Sequence, residues 1–107
     1  MTDAPTPAKV AAWVRVPAQP GRRDELVEKL QAAIDNAQTE SGTLLYILHV
    51  NDADPDAVFF YELYESQEAF IAHGSSDRFK EIGMSLRTVA GGRPELLTVT
   101  PVVGKGL

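Results

Sequence analysis

The sequence predicts an α+β protein with the ferredoxin-like order β-α-β-β-α-β, in which a four-stranded antiparallel sheet carries helices on one face. Three observations support this fold class. Apolar runs of strand length alternate with helical patterns in that order. The two middle runs are joined by a short, turn-rich connector, which favours an antiparallel hairpin. The length of 107 residues fits one compact domain.

We expect the domain to cover residues 9–103, with a flexible leader at residues 1–8 and a tail at residues 104–107. The leader lacks the basic and hydrophobic regions of a signal peptide, and the apolar runs are too short to span a bilayer. The chain has no cysteine, which fits a reducing cytoplasm. The short apolar runs predict that the chain has no membrane partner. Its net charge of −5, with scattered basic residues, argues against a nucleic-acid partner.

The first half of the chain supplies a strand and a long helix. The segment KVAAWVRV, residues 9–16, is the first strand, and residues 21–42 form the helix. The apolar residues of this helix recur at three- and four-residue spacing and make one stripe: Leu26, Leu30, Ala33, Ile34 and Ala37. Asp24 and Glu25 lie near its positive end, and Gly42 is the expected stop.

The hairpin comes next. TLLYILHVN, residues 43–51, and AVFFYELYE, residues 57–65, are its strands, and DADPD, residues 52–56, is the connector. The connector resembles the start of a calcium loop, but Ala57 and Leu63 stand where that loop needs glycine and glutamate. Its acids are therefore expected to form a solvated turn.

The second helix is predicted to be broken in two. SQEAFIAH, residues 66–73, has Ser66 as a good N-cap and Gly74 as the expected end. SSDRFKEIGMSL, residues 75–86, is a further short helix, capped by Ser76 or Asp77. After a loop, residues 94–103 form the last strand.

The strands are apolar at both odd and even positions, as in VFFYELY and TLLYILHV. An antiparallel sheet with one wet face normally alternates apolar and polar residues. The helices can cover only one face, so we expect a second copy of the sheet to cover the other in a homodimer. The alternative is a monomer with an unusually apolar exposed sheet face.

Glu62 and His73 are the main candidates for chemistry. Glu62 lies in an apolar strand between Tyr61 and Leu63, where a carboxylate must find a partner or its pKa rises. It is either a general base or ligand anchor, or one member of a structural ion pair or hydrogen bond. His73 is either an acid–base group at the gap between helix and sheet, or a helix C-terminal cap.

Other motifs point away from common chemistries. The two histidines, His49 and His73, are far apart in sequence and give no metal-ligand spacing, so no metal is expected. There is no G-x-S-x-G nucleophile elbow, and the AGGRP loop lacks the lysine and spacing of a phosphate loop. His49 fits an interface or strand-end residue, and Trp13 fits the core or a dimer interface.

Two segments carry a family resemblance. FFYELYESQEAFIAHGSSDRF, residues 59–79, resembles the signature of the antibiotic biosynthesis monooxygenase-like family, with aromatic-E-x-aromatic, a short acidic helix ending in histidine, and then a phenylalanine. ESGTLLYILH, residues 40–49, is similar to the E-x-G-x-x-x-Y-x-L-H segment of that family. The resemblance spans roughly residues 10–99 and implies a dimeric α+β barrel.

The resemblance also implies an activity and a site. The activity is oxidation of a phenol- or quinol-like substrate by molecular oxygen, without a metal, flavin, haem or other cofactor. A protein base deprotonates the substrate, and the anion passes an electron directly to oxygen. Matched by position, the catalytic residues are His73, Glu62 and Tyr64. The substrate-binding residues are Tyr46, His49, Phe60 and Phe79.

The chain departs from the family pattern at two positions. Arg78 stands where many members have a second histidine, and Tyr64 where a tryptophan is common. The haem-degrading branch fits worse, because strand one has no asparagine, and Ile82 and Gly83 stand where the haem ligand would be. Two other functions stay open: a non-oxidative isomerase that uses Glu62 and His73, and a binding or stress-associated dimer without chemistry.

Overall fold

The structure, a computed structural model, describes residues 8–107; the predicted leader lies outside the described residues except for its last residue. The predicted order is confirmed, with the second helix broken in two. The elements are β1 Val10–Pro17, α1 Arg23–Gln38, β2 Thr43–His49, β3 Ala57–Tyr64, α2 Gln67–Ser75, α3 Asp77–Ser85 and β4 Glu95–Val99. Over the same range, no helix combines the length and apolar character that crossing a bilayer requires.

The four strands form one antiparallel sheet in the order β2-β3-β1-β4. The hairpin of β2 and β3 is confirmed, with an irregularity in the register at Leu44. Helix α1 packs on β2 and β3, as does α2, while α3 packs mainly against α1 and α2. The sheet therefore has the ferredoxin-like topology that the sequence predicts.

The sheet has a covered and an uncovered face. Val14, Phe60 and Leu48 lie side by side on the covered face, where the helices pack. The opposite side, called the open face below, carries Trp13, Arg15, Leu45, Ile47, His49, Phe59, Tyr61, Leu97 and Val99. Several of its large apolar side chains are between 40% and 60% exposed in the single chain.

Helix α1 is shorter than the sequence predicts. Its apolar stripe is buried except for Ile34, which is partly buried, and Asp24 and Glu25 lie in its first turn. The helix ends at Gln38, so the prediction that Gly42 stops it is wrong. Gly42 has another role: a Cβ on it would lie 2.6 Å from the Cβ of Ala69 in α2. The absence of a side chain lets the loop after α1 approach α2 closely.

Two serines define the helices after β3. The Ser66 hydroxyl accepts a hydrogen bond from the Ala69 backbone N–H at 3.1 Å and caps α2. The Ser76 hydroxyl accepts one from the Phe79 backbone N–H at 3.1 Å and caps α3, as predicted. Helix α2 includes Gly74 and ends one residue later than expected.

The connector between β2 and β3 is mostly exposed, as its composition predicts, and two of its acids also make hydrogen bonds to other parts of the chain. Asp54 accepts two hydrogen bonds from the Arg15 guanidinium, at 2.7 and 3.0 Å, and Arg15 lowers the pKa of Asp54. Asp56 accepts a hydrogen bond from the Gly21 backbone N–H at 3.0 Å. The acids thus tie the connector to β1 and to the turn before α1. The last strand is also shorter than predicted and ends at Val99.

Candidate functional site

A cavity of about 410 Å³ lies between the covered face of the sheet and the helices. Its wall is apolar except for a few side chains and includes Val14, Val16, Leu30, Tyr46, Phe60, Glu62, Phe70, Ile71, His73, Phe79, Ile82, Leu86 and Leu96. The exposed side chains of Ile71, Phe79 and Leu96 belong to this wall, so the cavity is partly open to solvent. Its size lies within the range of small-molecule sites, roughly 300–1,000 Å³.

Glu62 lies at the sheet side of this cavity and is buried. Its position follows from strand alternation, since it shares the covered face with Phe60 and Tyr64. The Tyr64 hydroxyl donates a hydrogen bond of 2.5 Å to Glu62 Oε1. Burial raises the pKa of Glu62, and this effect outweighs the Tyr64 hydrogen bond and the attraction of His73, which lower it.

His73 lies at the helix side of the same cavity. It belongs to the last turn of α2, and its side chain is only 5% exposed. The ring is surrounded by aromatic rings, with centroid distances of 5.1 Å to Tyr46, 5.4 Å to Tyr64 and 4.9 Å to Phe79. Its Nε2 is buried and has no hydrogen-bond partner within residues 8–107. One ring nitrogen of His73 is therefore free for a ligand.

The two tyrosines differ in their access to the cavity. Tyr46 belongs to the wall, whereas Tyr64 is fully buried and contacts Glu62 without being part of the wall. Burial, followed by the charge of Glu62, raises the pKa of both phenols. Both hydroxyls therefore stay protonated at neutral pH, and Tyr64 acts on the site by holding Glu62.

The structure brings together most of the residues that the sequence pattern selects. Glu62, His73, Tyr46, Phe60 and Phe79 all line the cavity. The structure does not bring His49 to this cavity. It lies on the open face, with its ring centroid 6.2 Å from that of Trp13. Tyr46 and His49 differ by an odd number of residues along β2, so their side chains point to opposite sides of the sheet.

Sequence reasoning did not assign Glu40 to the site. Glu40 lies in the loop between α1 and β2, and its Oε1 is 2.7 Å from Nδ1 of His73. It is the first residue of the E-x-G-x-x-x-Y-x-L-H segment, so the motif contained the signal. Its contact with a histidine 33 positions away depends on the packing of α2 on the loop.

Within residues 8–107, no group of three or more His, Cys, Asp or Glu side chains is placed to hold a metal ion. That this chain uses no metal and no other cofactor stays a prediction from the family resemblance.

Comparison with protein families gives one match, to the model described as antibiotic biosynthesis monooxygenase, over residues 10–83. The matched segment contains β1 through most of α3, and with them both Glu62 and His73. No curated protein sequence matches the chain significantly.

Solved structures share the fold over nearly the whole chain. A structure from Chloroflexus aurantiacus that carries the antibiotic biosynthesis monooxygenase name is 26% identical, with a TM-score of 0.76, and the match covers 92% of this chain and 98% of that chain. A similarly named structure from Caulobacter crescentus is 24% identical, with a TM-score of 0.82 and coverage of 92% and 93%. A structure from Pseudomonas aeruginosa is 17% identical, with a TM-score of 0.81 and coverage of 94% and 100%.

Proposed function

The chain belongs to the antibiotic biosynthesis monooxygenase family, and we propose that it oxidises a small phenol- or quinol-like aromatic with molecular oxygen and without a cofactor. One observation carries this proposal: Glu62 and His73 line one apolar cavity, and the buried Nε2 of His73 has no hydrogen-bond partner within residues 8–107. Substrate deprotonation needs an acid–base group within reach of a bound substrate, and a largely apolar binding cavity provides such a setting.

The shape and lining of the cavity favour a planar aromatic ligand. Phe60, Tyr46 and Phe79 give it aromatic walls, and its volume of about 410 Å³ accommodates a ring system of drug-like size or smaller. Aromatic side chains bind a planar ring through stacked or edge-to-face contacts. The substrate would then be oriented by hydrogen bonds from its oxygens to the few polar groups of the wall.

We assign the deprotonation to His73. Its Nε2 takes the proton of the substrate hydroxyl, which leaves an electron-rich phenolate in an apolar surrounding. Burial raises the pKa of Glu62, so a protonated carboxyl group is more accessible here than in water, and in that form it can donate a hydrogen bond to a second substrate oxygen. Tyr64 holds this carboxyl group in place from behind the wall.

The reaction balances without an added reductant when the substrate is a quinol. The phenolate transfers an electron to oxygen, and the two radicals combine to form a bond between a ring carbon and oxygen. Loss of the ring C–H proton and cleavage of the O–O bond leave a carbonyl on the ring. The other oxygen atom departs as water with the proton that His73 returns. The quinol supplies every electron and becomes a hydroxylated quinone.

The test is oxygen uptake with a panel of hydroquinones and naphthoquinols in metal-free buffer. We expect uptake above the uncatalysed rate, and His73→Ala should lower turnover by roughly 100-fold or more because it removes the base. His49→Ala is the matched control, since His49 lies on the opposite side of the sheet. Its turnover should stay close to that of the unchanged chain. Consumption of no quinol above background would end the oxygenase proposal.

A second candidate is an isomerase that moves protons without oxygen. The same observation favours it, because Glu62 and His73 offer an acid and a base in one cavity. Anaerobic turnover of a hydroxyketone, followed by solvent deuterium incorporation, would distinguish this activity from the oxygenase.

We also propose that the molecule is a homodimer in which two open faces pack together. The exposed apolar side chains of that face suit a partner of the same character. Arg15 and Asp54 already form an ion pair with each other, so the open face does not need a charged partner to neutralise them. In a homodimer with a two-fold axis, the apolar open face of one protomer packs against the identical face of its partner.

A further inference from the structure

His73 makes its strongest polar contact outside the cavity. Its Nδ1 is 2.7 Å from Glu40 Oε1, in a pair whose side chains are 5% and 20% exposed. We propose that Glu40 is the positioning residue of the site: it holds His73 in the tautomer that carries its proton on Nδ1 and presents a bare Nε2 to the substrate. This inference rests on the proposed function of His73 as a base.

The tautomer follows from hydrogen-bond chemistry. An ionised carboxylate can only accept a hydrogen bond, so the imidazole must donate its single N–H through Nδ1. The lone pair is then on Nε2, which is buried and without a partner in the described part of the chain. A buried polar atom left unpaired lowers the stability of the fold. A substrate hydroxyl that donates to Nε2 would remove this cost.

The loop fixes Glu40 in its position. The Thr43 hydroxyl donates a hydrogen bond of 3.0 Å to the same Oε1 that faces His73. The Glu40 backbone N–H donates to the Ala37 carbonyl at 3.0 Å, and its own carbonyl accepts from the Thr43 N–H at 3.2 Å. The carboxylate is therefore held by contacts with the end of α1 and the start of β2.

Glu40 can be reached from solvent on its other side. A cleft of about 550 Å³ runs along the loop and the first turns of α2, and its wall includes Glu40, Thr43, Glu68 and His73. His73 is thus the side chain that belongs to the walls of both the cavity and the cleft. A small carboxylate added to the solution can enter this cleft if the Glu40 side chain is removed.

The first experiment measures the tautomer directly and needs no substrate. In ¹⁵N-labelled protein, at a pH where His73 is neutral, multiple-bond ¹H–¹⁵N spectra distinguish a protonated from an unprotonated ring nitrogen. We expect protonated Nδ1 and bare Nε2 in the unchanged chain. In Glu40→Ala the acceptor for the Nδ1–H group is lost, and in Glu40→Gln the amide can also donate to Nδ1. In both variants the Nε2–H tautomer should therefore gain population. A proton on Nε2 in the unchanged chain, or the same tautomer in every variant, overturns the inference.

The second experiment measures turnover. Glu40→Ala should lower kcat by on the order of 10- to 100-fold with little change in KM, since Glu40 orients the base and does not touch the substrate. Formate should restore part of the activity in a saturable manner through the cleft, and chloride should not. Glu68→Gln, another carboxylate of the cleft, is the matched control and should resemble the unchanged chain in both experiments.

The outcomes separate the two proposals. If the unchanged chain oxidises no quinol but shows the expected tautomer, the proposed reaction fails and the role of Glu40 in orienting His73 stands. If quinols are oxidised and Glu40→Ala is fully active, or if formate restores nothing to a folded but impaired variant, the role of Glu40 fails and the reaction stands. Should the alanine variant not fold, Glu40→Gln provides the same tautomer measurement.

Discussion

Glu62 shows how a single carboxyl group can be placed in an apolar wall. Burial raises its pKa, and the nearby charge of Glu40 acts in the same direction. The hydrogen bond from Tyr64 and the interaction with His73 act against this rise. In the fold the carboxyl group therefore favours its neutral form more strongly than in the unfolded chain.

This rise has a consequence for stability. Below the ordinary carboxyl pKa, Glu62 is neutral in both the folded and the unfolded state. As the pH rises toward the folded pKa, only the unfolded chain gains from ionising, so the fold is destabilised. Glu62→Gln removes this loss and should raise the free energy of unfolding more at about pH 7 than at about pH 4.

Urea unfolding at the two pH values measures this difference, with Glu68→Gln on the surface of α2 as the control. If Glu62→Gln raised the free energy of unfolding equally at both pH values, or more at the acidic one, the raised pKa of Glu62 would be contradicted.

The residues of the site could be predicted only in part. Glu62 is visible in the sequence because a carboxylate interrupts an apolar strand, and His73 because it follows a short helical pattern. Glu40 looks like an ordinary polar residue of a loop, since only the packing of α2 brings it to 2.7 Å from the ring. His49 was assigned to the site through its motif, although strand alternation already separates it from Tyr46.

The helices are positioned by short-range signals and by close packing. Ser76 ends α2 and caps α3, so the break in the second helix is encoded by one local side chain. Such signals can be read from the sequence. The role of Gly42 cannot, because it depends on Ala69, which belongs to a different element.

Gly42 provides a test of this contact. Gly42→Ala places a Cβ 2.6 Å from that of Ala69, which is too close for two carbon atoms, so the loop or α2 must shift. We expect a loss of about 1–3 kcal/mol in the free energy of unfolding, measured by chemical denaturation.

The matched control is Gly83→Ala inside α3, where an added Cβ meets nothing within 4 Å. Alanine is the better helix former, so this variant should gain about 0.5–1 kcal/mol. If both variants changed stability in the same direction, close packing at Gly42 would not be the cause.

The arrangement of the whole molecule follows from strands that are apolar on both of their sides. This pattern predicts one face under the helices and a second apolar face, and the structure shows both. The predicted hairpin also limits the possible strand orders, because few arrangements of this element order avoid crossed connections. The boundaries of β4 and α1 were less well predicted, since both lie next to segments whose ends depend on contacts with the rest of the fold.

The proposed dimer can be tested with two variants of matched exposure. Leu97 on the open face and Met84 on α3 are each 60% exposed in the single chain. Leu97→Glu would bury an unpaired charge in the interface and should weaken association by on the order of 100-fold or more, which corresponds to about 3 kcal/mol. Met84→Glu should leave association unchanged.

Sedimentation velocity at micromolar concentrations measures this association. We expect the unchanged chain and Met84→Glu to sediment as dimers and Leu97→Glu to sediment as a monomer. A monomeric unchanged chain would reject the dimer.

The position of Trp13 has a spectroscopic consequence. It is the one tryptophan of the chain, and it packs against Tyr61 on the open face, with ring centroids 4.7 Å apart. Its neighbour Val14 points the other way, into the cavity. The tryptophan fluorescence of this protein therefore originates on one side of the sheet, while the proposed substrate binds on the other. Emission from Trp13 and absorbance of a bound quinone are thus two separate optical signals, one for each face of a single sheet.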